Sequence, residues 1–322
     1  MDRPRLRKGR WLAMSTVIAV ALPVFAVIAI GFAAGRMKLA EAGDVAALNR
    51  FVFRFGFPAA LFALMSTATE LSANDGLLAL SYGVPAVGLM VAAYVGAQKF
   101  FALPPQTAGA HAFASVFGNA VFLGLPVAMG VEGWARPFVT LMLVEGIVII
   151  ALGASLMAPR RAGAGATTIF GALLRPLKNP LVAAALAGFI VALAGVSIPA
   201  SVRAILDLVA RAAGPVGLFS LGLFLATGVR ADLRAHGGRV AAIAAVKLAM
   251  LPILAFAALQ AAGVKDQDYR GALALFTVTP TAVGAYVIVA QYGDYVDETV
   301  SAIAATTLLS LAMIAGVLIL FA

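Results

Sequence analysis

The chain has 322 residues, 63% of them hydrophobic and 11% charged, with a formal net charge of +9 and no cysteine. A soluble domain averages about 45–50% apolar and about 25% charged residues, so this composition excludes a water-soluble fold, and the missing cysteines exclude disulfides and thiolate or Cys-type metal chemistry. The basic residues mostly fall between apolar runs, as topology signals do, and no nucleic-acid partner is expected.

A bilayer core of about 30 Å is crossed by about 20 apolar residues in a helix, and lipid leaves only helices or closed barrels as spanning structures. The apolar runs here are continuous and do not alternate, which selects helices. Residues 1–13 carry Arg3, Arg5, Arg7, Lys8 and Arg10 and read as a basic disordered tail ahead of an alternative start at Met14. The run after it is too long for a signal-peptide core and reads as a span. Breaks rich in Pro, Gly and charge then separate ten expected spans: 16–35, 47–68, 76–99, 107–129, 136–158, 179–196, 203–227, 238–261, 270–291 and 299–321. The longest break, 159–178, lies at mid-chain and reads as a short cytoplasmic linker between residues 14–158 and 179–322.

The two halves resemble each other. Pro23 and Gly31-Phe32 in the first span match Pro180 and Gly188-Phe189 in the sixth. Arg54, Pro58, Leu61-Phe62 and Leu64 in the second match Arg211, Pro215, Leu218-Phe219 and Leu221 in the seventh. The third and eighth carry Pro85 and Pro252. Five spans per half is odd, so the second half is expected to enter the membrane inverted, an arrangement common among secondary transporters. Arg36, Lys38, Arg50, Lys99, Arg160, Arg161, Arg175, Lys178, Arg230, Arg234 and Arg239 fall in loops on one side; Arg136, Arg203, Arg211, Lys265 and Arg270 fall on the other. That excess puts the first set in the cytoplasm and both termini outside, against the charge of the tail.

The fourth span contains Gly118-Asn119, Gly124 and Pro126; the ninth contains Thr277, Thr279-Pro280-Thr281 and Gly284. Proline removes a helical donor and glycine admits unusual backbone angles, so both spans are expected to break at membrane depth. Two readings are open: ordinary proline kinks, or a crossover of unwound segments whose half-helix N-termini attract an anion. The amide of Asn119 is the leading ligand for a carboxylate, with Gly118, Gly124, Pro126, Thr279, Pro280, Thr281 and Gly284 shaping the site; an interhelical structural role is its alternative. Tyr286 and Gln291 are weaker candidates. Glu145 reads as a proton-coupling group, as half of a static pair with a basic residue, or as a wet rim position. Lys247 reads as its charge partner, an anion attractor or a snorkelling lysine. Arg54 and Arg211 read as snorkelling, His111 as structural, and His236 as an ordinary loop residue. No arrangement of Asp, Ser or His supports an intramembrane enzyme, and no metal or cofactor is expected.

Four stretches resemble the auxin efflux carrier family, whose plant members are the PIN carriers: Leu48-Asn49-Arg50-Phe51-Val52 with Pro58; Asn119 with Gly124-Leu125-Pro126; Leu218 to Phe224; and Pro280 with Ala290-Gln291-Tyr292-Gly293. The resemblance implies ten helices with crossover helices four and nine, and a permease for small organic anions in a bacterial inner membrane. It implies alternating access of the elevator type, with helices one, two, six and seven as scaffold and homodimer surface. Malonate, malate, lactate or an auxin-like acid is the implied substrate class; coupling to H+ or Na+ stays open. The plant proteins have an asparagine–proline pair in each crossover. Here Gly118 stands beside Asn119, and Thr279 and Thr281 flank Pro280. The alternatives are a sodium-coupled symporter of the bile-acid type and, in another class, an anion channel or membrane receptor.

Overall fold

The computed structural model describes residues 22–67, 72–157, 180–227, 233–290 and 295–322. The tail 1–13, the linker 159–178 and Gln291 lie outside the described residues. The described residues are helical, with one isolated antiparallel bridge and no named strand among them. Among the described residues, six helices are long and apolar enough to cross a membrane: α2 (Ala42–Met65), α3 (Ala73–Phe101), α6 (Ala135–Met157), α8 (Ala200–Thr227), α9 (His236–Ala261) and α12 (Val296–Phe321). Shorter apolar helices are α1 (Leu22–Arg36), α5 (Ala120–Met129) and α7 (Pro180–Leu193). Between them come α4 (Pro105–Val116), α10 (Gln267–Val278) and α11 (Val283–Ala290).

Local chemistry sets the ends. α2 starts five residues before the expected 47, because Glu41 and Asp44 form a capping box that carries the helix past the apolar run. Ser72 and Asp75 do the same for α3. Asp266 caps α10 by accepting the Asp268 N–H at 2.9 Å.

Among the described residues, four helices contain a widened π turn: Val52–Gly56, Ala120–Gly124, Glu145–Ile149 and Val246–Met250. In three of them the closing N–H belongs to the residue before a proline. Phe57 bonds back to Val52, Leu125 to Ala120 and Leu251 to Val246, and Pro58, Pro126 and Pro252 follow. A proline ring collides with the carbonyl four residues back. A five-residue turn moves that carbonyl aside and keeps the helix continuous. The turn at Glu145–Ile149 has no such proline and opens on a carboxylate. Widened turns of this kind are frequent at functional sites.

The helices pack as two sets. In one, α2 packs on α7 and α8, and α1 packs on α8. In the other, α3 packs on α4, α6 and α9, while α12 packs on α9, α10 and α11. The sets meet where α8 touches the first turn of α5, and where α2 and α7 touch α6.

Within the first set, glycines allow close backbone approach, and two of them form a matched pair. A Cβ on Gly31 would run into the carbonyl oxygen of Phe219, and one on Gly188 would run into that of Phe62. Small residues are what let membrane helices come this near. The two contacts are images of each other: Gly31 corresponds to Gly188, and Phe62 to Phe219, in the matched motifs. α4 and α10 are also both 12 residues long.

Candidate functional site

α4 stops at Val116 and α10 at Val278, and both chains then run extended. Phe117 has ψ 113° and Thr279 has ψ 143°. The unwound stretches pair antiparallel, with Gly118 opposite Thr281. The Asn119 N–H donates to the Pro280 carbonyl at 2.7 Å, and the Ala282 N–H donates to the Phe117 carbonyl at 3.1 Å. Each broken helix therefore supplies the partners that the other has lost, as buried backbone requires. α5 and α11 restart immediately after the crossing, so both half-helix N-termini, with their partial positive charge, lie beside it.

Side chains complete the unit. The Gly118 N–H donates to Glu145 Oε1 at 2.8 Å, and the same oxygen accepts from the Tyr82 hydroxyl at 3.1 Å. Lys247 Nζ donates to the Thr277 carbonyl at 3.0 Å. A Cβ on Gly118 would lie 2.6 Å from Thr279 Oγ1 and 3.2 Å from Lys247 Nζ. Glu145 and Lys247 thus reach the same glycine from two directions, 4% and 1% exposed, and sit in each other's field. They form no direct ion pair; the ion pairs among the described residues are Arg136–Asp75, His236–Glu298 and Arg239–Glu298. Lys247 does not snorkel, because its amine is held inside by the freed carbonyl at the end of α10.

A cavity of about 60 Å³ opens beside the crossing. Gly118, Asn119, Glu145, Ala282 and Gly284 line it from one set of helices; Phe53, Leu61, Leu181, Val182 and Ala185 line it from the other. Phe122 also lines it, edge-on to Phe53 with ring centroids 5.1 Å apart. Asn119 is 1% exposed and its Nδ2 is buried with no hydrogen-bond partner among the described residues. Such a donor is costly to leave unmade.

Of the residues singled out in the sequence, Gly118, Asn119, Glu145 and Gly284 are on the cavity wall. The others lie outside it. Thr279 donates its hydroxyl to the Phe276 carbonyl at 2.7 Å and Thr281 to the Ala114 carbonyl at 3.0 Å. Thr277 bonds back to Leu273. Pro280 gives its carbonyl to Asn119, and Gly124 lies against Phe138 and Thr279. Pro126 faces Gly214 of α8. Tyr286 packs on Phe224. His111 Nδ1 is 2.7 Å from the Tyr295 hydroxyl, and Arg54 and Arg211 are exposed. Sequence reasoning missed Tyr82 and Thr306. Thr306 Oγ1 accepts the Thr281 N–H at 3.0 Å, closing the crossing from α12. A lone tyrosine and a threonine pair inside apolar helices were the only signals for them.

Comparison with known proteins agrees with this picture. Residues 16–318 match the family described as membrane transport protein. The chain is similar to the "Putative malonate transporter" of Rhizobium meliloti (strain 1021), at 28% identity over 95% of this chain and 96% of that protein. It is also similar to the "Uncharacterized transporter YfdV" of Escherichia coli (strain K12), at 26% identity over 89% of this chain and 92% of that one.

Proposed function

This chain belongs to the auxin efflux carrier family of membrane transport proteins, and from that premise we propose that it is a secondary carrier for a small carboxylate held at the helix crossing. It is a multi-pass membrane transporter and not an enzyme. The observation that carries the substrate assignment is the Asn119 amide: a buried donor with no partner, on a cavity wall, beside two half-helix N-termini. A carboxylate oxygen satisfies that donor and the partial charges together. Malonate is the first candidate because a relative carries that name; malate, lactate and an auxin-like acid are the others.

In this reading the chain forms ten spans, with α4–α5 and α10–α11 as the broken fourth and ninth. They make two inverted halves, 14–158 and 179–322, and the linker 159–178 is cytoplasmic. The reciprocal Gly31–Phe219 and Gly188–Phe62 contacts support that symmetry. Both termini are periplasmic, the membrane is the bacterial inner membrane, and the carrier is a homodimer. Transport is of the elevator type: the set built on α3–α6 and α9–α12 slides on α1, α2, α7 and α8. The cavity lies on that seam and, at about 60 Å³, holds only a few waters, so it widens to load. Glu145 and Lys247, tied to the crossing through Gly118, are the groups placed to couple a proton to that movement; sodium is the competing ion.

The test is solid-supported-membrane current on proteoliposomes given malonate, malate, lactate and indole-acetate, with and without sodium and a pH gradient. A saturable signal for one acid that Asn119→Ala abolishes supports the reading. A signal unchanged by Asn119→Ala removes the site assignment.

A further inference from the structure

Away from the crossing, a groove of about 470 Å³ runs between α9, α10 and α12. Pro252, Ile253, Phe256, Ala274, Val278 and Phe321 wall it. It faces the surrounding membrane: Ile253 is 65% exposed. The Thr277 hydroxyl on its floor is turned back onto the Leu273 and Ala274 carbonyls, which leaves the groove apolar.

One end of the groove carries a charge. Arg270, in the first turns of α10 and one turn before Ala274, lays its guanidinium over the Phe256 ring, 5.2 Å from the centroid. Phe256 meets Phe321 with centroids 5.8 Å apart. Arg270 Nε is buried and finds no acceptor among the described residues. A guanidinium N–H in that position calls for an oxygen that none of the described residues supplies. Of the nearby carboxylates, Asp266 caps α10 and Asp268 lies against Gly133, and neither accepts from the Arg270 Nε. Lys265 is exposed on the same loop.

We propose that this groove is a binding site for an anionic phospholipid, with the phosphate on Arg270 and one acyl chain along Phe256, Ala274 and Val278. An apolar slot open to the bilayer fits a lipid tail, and a basic residue at its water-facing end selects an anionic headgroup. The site is separate from the transport cavity and does not depend on which substrate is carried.

The experiment is native mass spectrometry of the purified full chain, titrated with phosphatidylglycerol and phosphatidylcholine of identical acyl chains. Wild type is expected to retain phosphatidylglycerol more tightly by roughly fivefold, the effect of one basic residue near the surface. Arg270→Gln brings the two lipids to parity, while Arg270→Lys keeps the preference. Ala257→Trp, which fills the groove from an exposed position, weakens both lipids and leaves their ratio unchanged. Equal retention by wild type overturns the proposal, as does a ratio that survives Arg270→Gln. If Arg270→Gln fails to fold, the wild-type ratio and Ala257→Trp decide; no loss of binding in Ala257→Trp overturns the acyl-chain assignment.

Discussion

The backbone N–H of Gly118 donates to the Glu145 carboxylate over 2.8 Å, joining the unwound stretch of one helix to the widened turn of another. Tyr82 donates to the same oxygen, and Lys247 lies against the glycine. Glu145→Gln retains an oxygen acceptor for both donors. Either substitution removes the charge facing Lys247; Glu145→Ala also strands both donors, and is expected to cost about 1–3 kcal/mol more. Thermal unfolding in detergent separates the two: the alanine variant should melt well below the glutamine variant, and equal melting would show that the carboxylate is not a structural acceptor.

Gly118 is expected to reject both proline and alanine, for different reasons. Proline removes the N–H that Glu145 accepts. Alanine places a methyl group 2.6 Å from Thr279 Oγ1, an overpacking cost of about 1–3 kcal/mol. In the Gly118→Ala background, Thr279→Ala should relieve the clash and Thr279→Ser, which keeps the hydroxyl oxygen, should not; equal relief by serine would leave this steric account unsupported.

Asn119→Ala should fold like wild type, since the Nδ2 it removes has no partner to lose, whereas Asn119→Asp buries an unpaired charge and should melt lower. Both should depress carboxylate transport, and the aspartate more strongly because it sets a negative charge against the anion. Size-exclusion profiles and melting temperatures check the first half of this expectation and uptake checks the second. An aspartate variant that transports as well as wild type contradicts it.

Two adjacent threonines on α12 are expected to behave oppositely. Thr306→Val orphans the Thr281 N–H at the crossing and should cost about 1–3 kcal/mol. Thr307 Oγ1 is buried with no partner, so Thr307→Val should be neutral or slightly stabilising. Denaturant titration of the two variants side by side reads the difference directly.

Gly31→Val and Gly188→Val should destabilise by similar amounts, about 1–3 kcal/mol or more, because each drives a side chain into a carbonyl of the facing helix. Strongly unequal losses would argue that the two contacts are not equivalent.

Much of this protein was legible in the residues. Continuous apolar runs are a one-dimensional signal, so helices could be placed, with ends that shift by a few residues, in places through capping boxes such as Glu41–Asp44 that extend a helix beyond its apolar stretch. The breaks at Gly118-Asn119 and Thr279-Pro280-Thr281 could also be placed, because proline and glycine disrupt a helix through their own backbone chemistry. What each residue does at the break could not. Asn119 and Thr281 are both small polar residues at matching places, yet one faces a cavity with a free donor and the other ties itself to Ala114 and Thr306. Lys247 and Glu145, about 100 residues apart, reach a common glycine only because α6, α9 and the crossing meet there.

By itself, the sequence determined that the chain lives in lipid, where its helices run and where two of them break, since lipid burial and backbone disruption depend on local composition. The tertiary structure alone decided which polar atoms satisfy one another and which is left facing the cavity. That outcome depends on where hydrogen-bond partners from distant helices arrive, to within a few tenths of an ångström.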